Sequence, residues 1–250
     1  MKYIVFDLDD TLLNDQRVVT PYTLNTLKRL QAQGHKLVIN TARSKAFSQD
    51  YFELIRPDYA ILNGGALIID QDEKVVFRAE IDIQTTQAVV DDLLKVTENF
   101  SVQTEEILYS NNGSYTGQNA QPFDFSKEKF SLPALKIVAS VEEEPAAKAI
   151  AEKYGLEFTS YFGGAFRRYN HIGATKAQGN ANLVRLLGGS LADVIAFGDD
   201  LGDLEMLQQA GVGVLMRNAK LHLHGKSRYL SQYTNNEDGV ARFLETYFDI

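Results

Sequence analysis

Several carboxylates follow directly after an apolar segment near the start of the chain. Lys2 to Phe6 is a run of mostly apolar, partly β-branched residues, which favours a buried parallel strand, and Asp7-Leu8-Asp9-Asp10-Thr11 comes next. In an extended backbone, Asp7 and Asp9 would project to the same side. Carboxylates crowded at a strand end repel one another unless a cation lies between them, and Mg²⁺ prefers oxygen ligands. The segment therefore predicts a metal-dependent site, and a solvated acidic turn is the alternative.

A second acidic cluster follows a later apolar run. Gly198-Asp199-Asp200-Leu201-Gly202-Asp203 comes directly after the predicted strand Val194 to Phe197. Asp199 and Asp203 are four residues apart, a spacing that a turn entering a helix can bring together. Acids in a first helical turn also serve as caps, but three acids exceed what capping needs.

Two further positions could bind an anion. Thr41-Ala42-Arg43 follows the predicted strand Lys36 to Asn40. A hydroxyl group and free N–H groups at such a strand-to-helix turn can hold a phosphate, although Thr is also a common N-cap. Lys176 stands at a predicted helix start, where the helix dipole favours anions, so it indicates either a nearby anion or a solvated surface lysine.

The elements that would position these residues alternate regularly. Strands and helices joined by short loops predict a parallel, doubly wound sheet. The pattern runs through the predicted strands and helices Lys2 to Phe6, Thr20-Pro21 to Gly34, Lys36 to Asn40, Ser44 to Ile55 and Tyr59 to Leu62, and after a hairpin around Gln71-Asp72-Glu73 and an interruption it resumes with Lys176 to Leu187, Val194 to Phe197, Leu204 to Ala210, Val212 to Met216 and Gly239 to Tyr247.

The interruption has an α/β pattern of its own. It contains predicted helices and strands at Thr85 to Val96, Ile107 to Ser110, Lys136 to Ser140, Glu143 to Tyr154, Glu157 to Phe162 and Phe166 to Asn170, with a polar stretch at Asn111 to Gln121. The sequence therefore predicts a Rossmann-like α/β core from residues 1–80 and 173–250, with an α/β cap domain, residues 81–172, inserted into it.

The predicted topology brings the four clusters together. In open α/β sheets, ligands bind in the crevice beyond the carboxyl ends of the strands. Two acidic clusters there can hold a cation, while Thr41 and Lys176 hold phosphate oxygens. This arrangement is suited to phosphoryl transfer.

Composition excludes several other classes. The 250 residues carry a net charge of −8 without any Lys/Arg-rich stretch, which argues against a nucleic-acid partner. No apolar run approaches the ~20 residues that span a bilayer, and the N-terminal stretch, which contains acids and no small-residue cleavage site, does not resemble a signal peptide. The chain has 0 cysteines, which excludes disulfides and fits a cytoplasmic location.

The combination of motifs resembles the haloacid dehalogenase-like hydrolase superfamily, in particular the Cof-type phosphatases with a large α/β cap. Four segments match that family's four motifs, and three others match secondary features. The four are Asp7-Leu8-Asp9-Asp10-Thr11-Leu12, Thr41, Lys176, and Gly198-Asp199 with Asp203; the three are Asn63-Gly64-Gly65-Ala66, Arg217-Asn218-Ala219 and Asn236-Glu237-Asp238-Gly239-Val240.

The resemblance implies a role for each residue. Asp7 would attack phosphorus and form an aspartyl-phosphate, and Asp9 would protonate the leaving oxygen and then activate water. Mg²⁺ would be held by the Asp7 carboxylate, the Asp9 carbonyl and Asp199. The remaining site residues bind the phosphoryl group (Thr41, Ala42, Lys176) or support the site (Asp203, Thr11, Arg43). The expected substrate is a small phosphorylated metabolite, with a sugar phosphate as the leading choice, and the oligomeric state stays open.

Three positions depart from the family pattern. Gly202 replaces the usual Asn that contacts phosphate, Ala42 replaces a Gly, and Asp10 replaces another Gly. Three alternatives remain: a phosphomutase or phosphotransferase of the same chemistry, a phospho-accepting receiver domain, and a damaged member that only binds ligand.

Overall fold

A computed structural model describes residues 1–111, 113, 120–161 and 164–250. The chain divides into two compact units: residues 1–42, 50–77 and 176–250 form the first, and residues 43–49 and 78–175 form the second. The expected boundaries were 80/81 and 172/173, whereas the chain passes between the units at 77/78 and 175/176. Residues 43–49, expected in the core, group with the second unit. The roles of core and cap stay predictions.

The elements have the following bounds. The strands are β1 Tyr3–Phe6, β2 Lys36–Asn40, β3 Tyr59–Leu62, β4 Leu67–Asp70, β5 Val75–Arg78, β6 Phe100–Gln103, β7 Leu108–Asn111, β8 Ala120–Phe123, β9 Lys136–Ala139, β10 Leu156–Tyr161, β11 Phe166–His171, β12 Val194–Gly198, β13 Val212–Leu215 and β14 Tyr229–Leu230. The helices are α1 Pro21–Ala32, α2 Gln49–Ile55, α3 Ile83–Leu93, α4 Glu144–Tyr154, α5 Lys176–Leu186, α6 Leu204–Gln209 and α7 Gly239–Phe248.

The first unit is built on an eight-stranded sheet of order β14-β13-β12-β1-β2-β3-β4-β5. The strands from β14 to β3 pair in parallel, and β4 is antiparallel to β3. Phe6 at the end of β1 aligns with Phe197 on one side and Ile39 on the other. The ends of β1, β2 and β12 therefore lie side by side. All residues of β1 are buried, which explains its continuous apolar sequence.

Helices cover both faces of this sheet. Ala196 belongs to a buried cluster that includes Leu183 of α5 and Leu207 of α6. Its neighbour Phe197 points to the opposite face, where its ring lies 5.5 Å from that of Phe243 in α7. The doubly wound α/β class that the sequence predicted is confirmed.

The second unit contains a six-stranded sheet of order β10-β11-β9-β6-β7-β8. All pairings in it are antiparallel except β7 with β8. Val89 of α3 and Ile150 of α4 pack in one buried cluster with Val102, Ile137 and Tyr169 of the sheet. The two helices thus cover one face of this sheet.

Several predicted elements differ from the structure. The helix predicted from Ser44 is wrong at its start, because α2 begins at Gln49. Strands β6, β8 and β14 were missed. The polar stretch Asn111 to Gln121 lies partly outside the described residues, as does the predicted strand end at Phe162. Across the described ranges, no helix combines the length and apolar character that crossing a membrane requires.

Candidate active site

The chain turns sharply where β1 ends. The backbone N–H of Asp7 still donates to Phe197 O (3.1 Å), but Leu12 N then donates to Asp7 O (3.3 Å) and Leu13 N to Leu8 O (2.9 Å). Asp7 (φ −68°, ψ 162°) and Asp9 (φ −67°, ψ 127°) each keep the extended backbone angles that the sequence predicted, but they lie in a wide turn and not in a continuous strand. Within this turn Asp10 has φ 57°, a left-handed conformation that Gly adopts freely and that Asp tolerates. This conformation explains why either residue fits the position.

Lys176, at the start of α5, lies between two carboxylates. Its Nζ is 2.9 Å from Asp7 Oδ1 and 2.6 Å from Asp203 Oδ1. The relative exposures of Lys176, Asp7 and Asp203 are 9%, 7% and 0%. Burial by itself would lower the pKa of Lys176, but the charges of Asp203 and Asp7 raise it above its ordinary value. The lysine is therefore a fixed positive charge beside Asp7.

Asp203 uses both carboxylate oxygens. While Oδ1 binds Lys176, Oδ2 accepts hydrogen bonds from the backbone N–H groups of Asp199 (3.0 Å) and Asp200 (3.2 Å). Gly198 must be a glycine here, because a Cβ at that position would lie 2.4 Å from the Cβ of Asp203. The loop after β12 is thereby held against the lysine.

Three carboxylates form a group suited to a metal ion. One oxygen from each of Asp7, Asp199 and Asp203 lies within 4.8 Å of the others. Thr11 Oγ1 donates to Asp199 Oδ1 at 2.9 Å. Burial raises the pKa of Asp7 to about 7 against the opposing charge of Lys176, and burial with the charges of Asp203 and Asp7 raises that of Asp199 to about 8. A divalent cation would offset the repulsion and the burial that disfavour the charged forms of these carboxylates, and the all-oxygen donor set fits Mg²⁺.

The end of β2 is tied to the lysine. Asn40 Nδ2 donates to the carbonyl oxygen of Lys176 (2.9 Å) and to Asn180 Oδ1 (2.8 Å). The next residue, Thr41, is buried; its N–H donates to Ile61 O (2.9 Å) and its carbonyl accepts from Gly64 N (3.0 Å). Thr41 is therefore fixed at the same sheet edge as Asp7 and Lys176.

The two residues after Thr41 fall in different units. Ala42 is the last residue of its segment in the first unit, whereas Arg43 belongs to the second unit. There the Nη1 of Arg43 donates to Phe47 O at 3.1 Å. Arg43 is therefore not one of the residues that the first unit places around Asp7 and Lys176.

Sequence reasoning missed a cation beside Asp9. The guanidinium of Arg17 donates to Asp9 Oδ1 in a close ion pair. Arg17 has φ 61°; its N–H donates to Asn14 O (2.8 Å) and its carbonyl accepts from the Tyr51 hydroxyl (3.2 Å). The turn-forming Asn14-Asp15 just before it was an available signal that the chain folds back toward the acids.

Distant asparagines support the turn that carries Asp9. Asn218 Nδ2 donates to Asp10 O (2.7 Å), and Asn218 Oδ1 accepts from Asn235 N (3.0 Å). Asn235 Nδ2 in turn donates to Leu13 O (3.1 Å). The motif Arg217-Asn218-Ala219 indicated Asn218 from the sequence, whereas no motif included Asn235. Both act on backbone carbonyls and therefore position the acidic turn.

The unusual glycine at position 202 lies in a compact turn. Its N–H donates to Asp200 Oδ1 at 2.7 Å, and a Cβ there would lie 3.1 Å from the same oxygen. Gly202 therefore supplies a backbone donor to the loop and no side chain.

One edge of a parallel α/β sheet thus presents a buried carboxylate, a lysine and three carboxylates that could hold a metal ion, an arrangement suited to phosphoryl transfer. The chain belongs to the haloacid dehalogenase-like hydrolase family, whose family model matches residues 4–244. It is a phosphatase of that family, and the resemblance predicted from its motifs is confirmed.

Relatives match the chain over its whole length. A 5-amino-6-(5-phospho-D-ribitylamino)uracil phosphatase of Bacillus subtilis (strain 168) is 30% identical over 271 residues, covering 99% of this chain and 97% of the relative. A haloacid dehalogenase-like hydrolase from Bacteroides thetaiotaomicron has a TM-score of 0.86 at 23% identity, covering 99% of each chain. A sugar phosphatase of subclass IIB has a TM-score of 0.80 at 23% identity, covering 100% of each chain. The two structures establish the likeness of fold.

Proposed function

We propose that the protein is a Mg²⁺-dependent phosphatase that hydrolyses small phosphomonoesters through an aspartyl-phosphate on Asp7. The arrangement of Asp7, Lys176 and Asp203 carries this proposal. The lysine lies 2.9 Å from the proposed nucleophile and is buried with it, which suits stabilisation of an incoming phosphate dianion.

The metal would be held by chain oxygens. The carboxylates of Asp7 and Asp199 and the carbonyl of Asp9 are the proposed ligands, with Asp203 in support. Mg²⁺, when bound, would offset the repulsion between the Asp7 carboxylate and the phosphoryl oxygens. Lys176, the Thr41 hydroxyl and the Ala42 N–H would hold those oxygens.

The proposed reaction has two displacements. An Asp7 oxygen attacks phosphorus, the ester P–O bond breaks, and the leaving oxygen takes a proton from Asp9. Water then attacks the aspartyl-phosphate, Asp9 takes a proton from this water, and the bond between phosphorus and the Asp7 oxygen breaks. Orthophosphate leaves, and Asp9 is protonated as at the start.

The substrate class is a sugar phosphate or a similar phosphorylated polyol. The Bacillus relative is named for a phospho-D-ribitylamino compound, and one structural relative is described as a sugar phosphatase. We place the reaction in the cytoplasm, since the chain has 0 cysteines.

The test is hydrolysis of p-nitrophenyl phosphate with and without Mg²⁺. Wild type turns over only with the metal, Asp7→Asn is inactive, and Asp50→Asn, an exposed acid in α2, keeps full activity. Activity that survives Asp7→Asn would sink the covalent mechanism. A panel of phosphorylated metabolites ranks substrates, and an isomerised sugar phosphate without phosphate release would identify a mutase instead.

A further inference from the structure

One segment at the edge of the first sheet carries positive charge only. Between Glu205 and Glu237 the chain has no Asp or Glu. Four basic residues lie in that stretch: Arg217, Lys220, Lys226 and Arg228. Because the whole chain carries −8 and this stretch +4, the remainder of the chain carries −12. Residues 217–228, called here the basic segment, therefore give an otherwise acidic protein one region of positive charge.

The four cations are not neutralised by neighbouring acids. Each of them is exposed to solvent. Among the described residues, no carboxylate oxygen lies within 4.0 Å of a side-chain nitrogen of any of the four. By contrast, the exposed lysines Lys95, Lys127 and Lys153 lie 2.6 Å, 2.7 Å and 2.7 Å from an aspartate oxygen. The basic segment therefore offers its charge to a partner outside the chain.

The basic segment is tied to the body of the first unit. Leu223 is buried in the cluster that includes residues of β12 and α6. Ser227 Oγ donates to the carbonyl of Gly213 in β13 (2.8 Å), and Gln208 Nε2 of α6 donates to the carbonyl of Lys226 (3.0 Å). A fixed scaffold therefore carries the exposed side chains.

An apolar side chain stands among the cations. Leu221 is 83% exposed, the largest exposure of any large apolar residue in the described ranges. It begins the short 3₁₀-helix Leu221–Leu223 and lies between Lys220 and the exposed His222. Leu223 at the other end of this helix is 1% exposed. Leu223 thus serves the core, whereas Leu221 faces solvent.

Cations combined with an exposed apolar side chain favour the surface of an anionic membrane. Lys and Arg are attracted to anionic headgroups, and an apolar side chain gains free energy at the boundary between headgroups and acyl chains. Arg228 and Tyr229 add an aromatic pair, since the guanidinium carbon lies 5.5 Å from the ring centre, and tyrosine is enriched at this boundary. A nucleic acid would bind the same cations through its phosphates, but that binding does not use an exposed leucine.

We propose that the basic segment binds the surface of membranes that contain anionic phospholipids, with the four cations at the headgroups and Leu221 in the apolar boundary. The contact is peripheral and reversible, because each Lys or Arg near such a surface strengthens binding by only about fivefold. The cytoplasmic leaflet of cell membranes carries anionic lipids, which matches the cytoplasmic location proposed above.

Co-sedimentation of the full-length protein with vesicles tests the charges at about 0.15 M salt. We expect binding to vesicles of phosphatidylcholine and phosphatidylglycerol in equal parts, and none to vesicles of phosphatidylcholine alone. Lys226→Gln combined with Arg228→Gln should lower the partition coefficient by about 25-fold. The matched control, Lys28→Gln combined with Arg29→Gln, removes the same charge from exposed positions of α1 and should leave binding unchanged.

Leu221→Ser separates a membrane from other polyanions. It should lower the partition coefficient by roughly tenfold, whereas Leu186→Ser, at a half-exposed position of α5, should not change it. Absence of binding to the anionic vesicles, or equal binding to both kinds of vesicle, would overturn the proposal. Binding that needs Lys226 and Arg228 but not Leu221 would also contradict it, because a purely electrostatic site is typical of nucleic-acid binding. The assay uses no substrate, so its outcome is independent of the proposed phosphatase function.

Discussion

Replacing Lys176 by Met removes a buried positive charge and keeps the volume of the side chain. Nζ of Lys176 lies 2.9 Å from Asp7 Oδ1 and 2.6 Å from Asp203 Oδ1, so the substitution leaves two carboxylates without their cation. Breaking a buried ion pair by deleting one partner costs about 3–5 kcal/mol. We expect a loss of that size in the free energy of unfolding at about pH 8 without metal.

The loss should depend on pH in a definite direction. The pKa of Asp7 is already raised to about 7 with the lysine present, and losing the lysine raises it further. While such a carboxyl group is protonated, the folded state buries no negative charge there. As pH rises above about 4, the pKa of an aspartate in the unfolded chain, the unfolded state loses its proton first, and the fold becomes progressively less stable. The deficit of Lys176→Met should therefore be smallest near pH 5 and largest above pH 7.

Urea denaturation at several pH values in EDTA measures this. Lys28→Met, an exposed lysine of α1, is the matched control and should change stability by less than about 0.5 kcal/mol. Adding Asp203→Asn to Lys176→Met should recover part of the loss, because one uncompensated charge disappears. A deficit below about 1 kcal/mol at pH 8, or one equal at pH 5 and pH 8, would refute the reasoning.

Three further outcomes are expected. Mg²⁺ should raise Tm more at about pH 8 than at about pH 6, because Asp7 and Asp199, with pKa values of about 7 and about 8, must lose protons to bind it; equal shifts in a thermal melt would contradict this. Gly198→Ala should destabilise by about 1–3 kcal/mol in urea and reduce turnover, because its Cβ would lie 2.4 Å from the Cβ of Asp203. Arg17→Met should lower kcat, because it removes the cation that is paired with Asp9, the proposed acid and base. Stability should change by no more than about 1 kcal/mol, because this ion pair is partly exposed, and the control Arg29→Met should change neither kcat nor stability.

The grouping of site residues at one sheet edge could be predicted, because it depends only on short sequence segments. Each of Asp7, Thr41 and Asp199 follows an apolar run that forms a parallel strand, and parallel strands end at a common edge. The left-handed Asp10 and the wide turn were not predictable in the same way, because the acidic residues alone do not specify where the strand stops.

Other features depend on contacts between residues far apart in the sequence. Asn235 donates to Leu13 O across 222 residues, and no pattern near either residue signals it. Strand β6 was also missed, because it is four residues long and alternates Phe and Val with Ser and Gln. Such a segment has little to distinguish it from a loop until its partner strands are known.

Asp203 has a consequence for how two ligands would communicate. One of its oxygens accepts a hydrogen bond from the charged Lys176, and the other accepts from the backbone N–H groups of Asp199 and Asp200. An anion that attracts the lysine would weaken the hydrogen bond between Lys176 and the first oxygen of Asp203. Because the second oxygen holds the loop that carries Asp199, this change would also affect Asp199. Thermodynamic linkage then requires that phosphoryl-group affinity and metal affinity alter each other by the same factor. A single fully buried carboxylate would therefore make the two binding events cooperative.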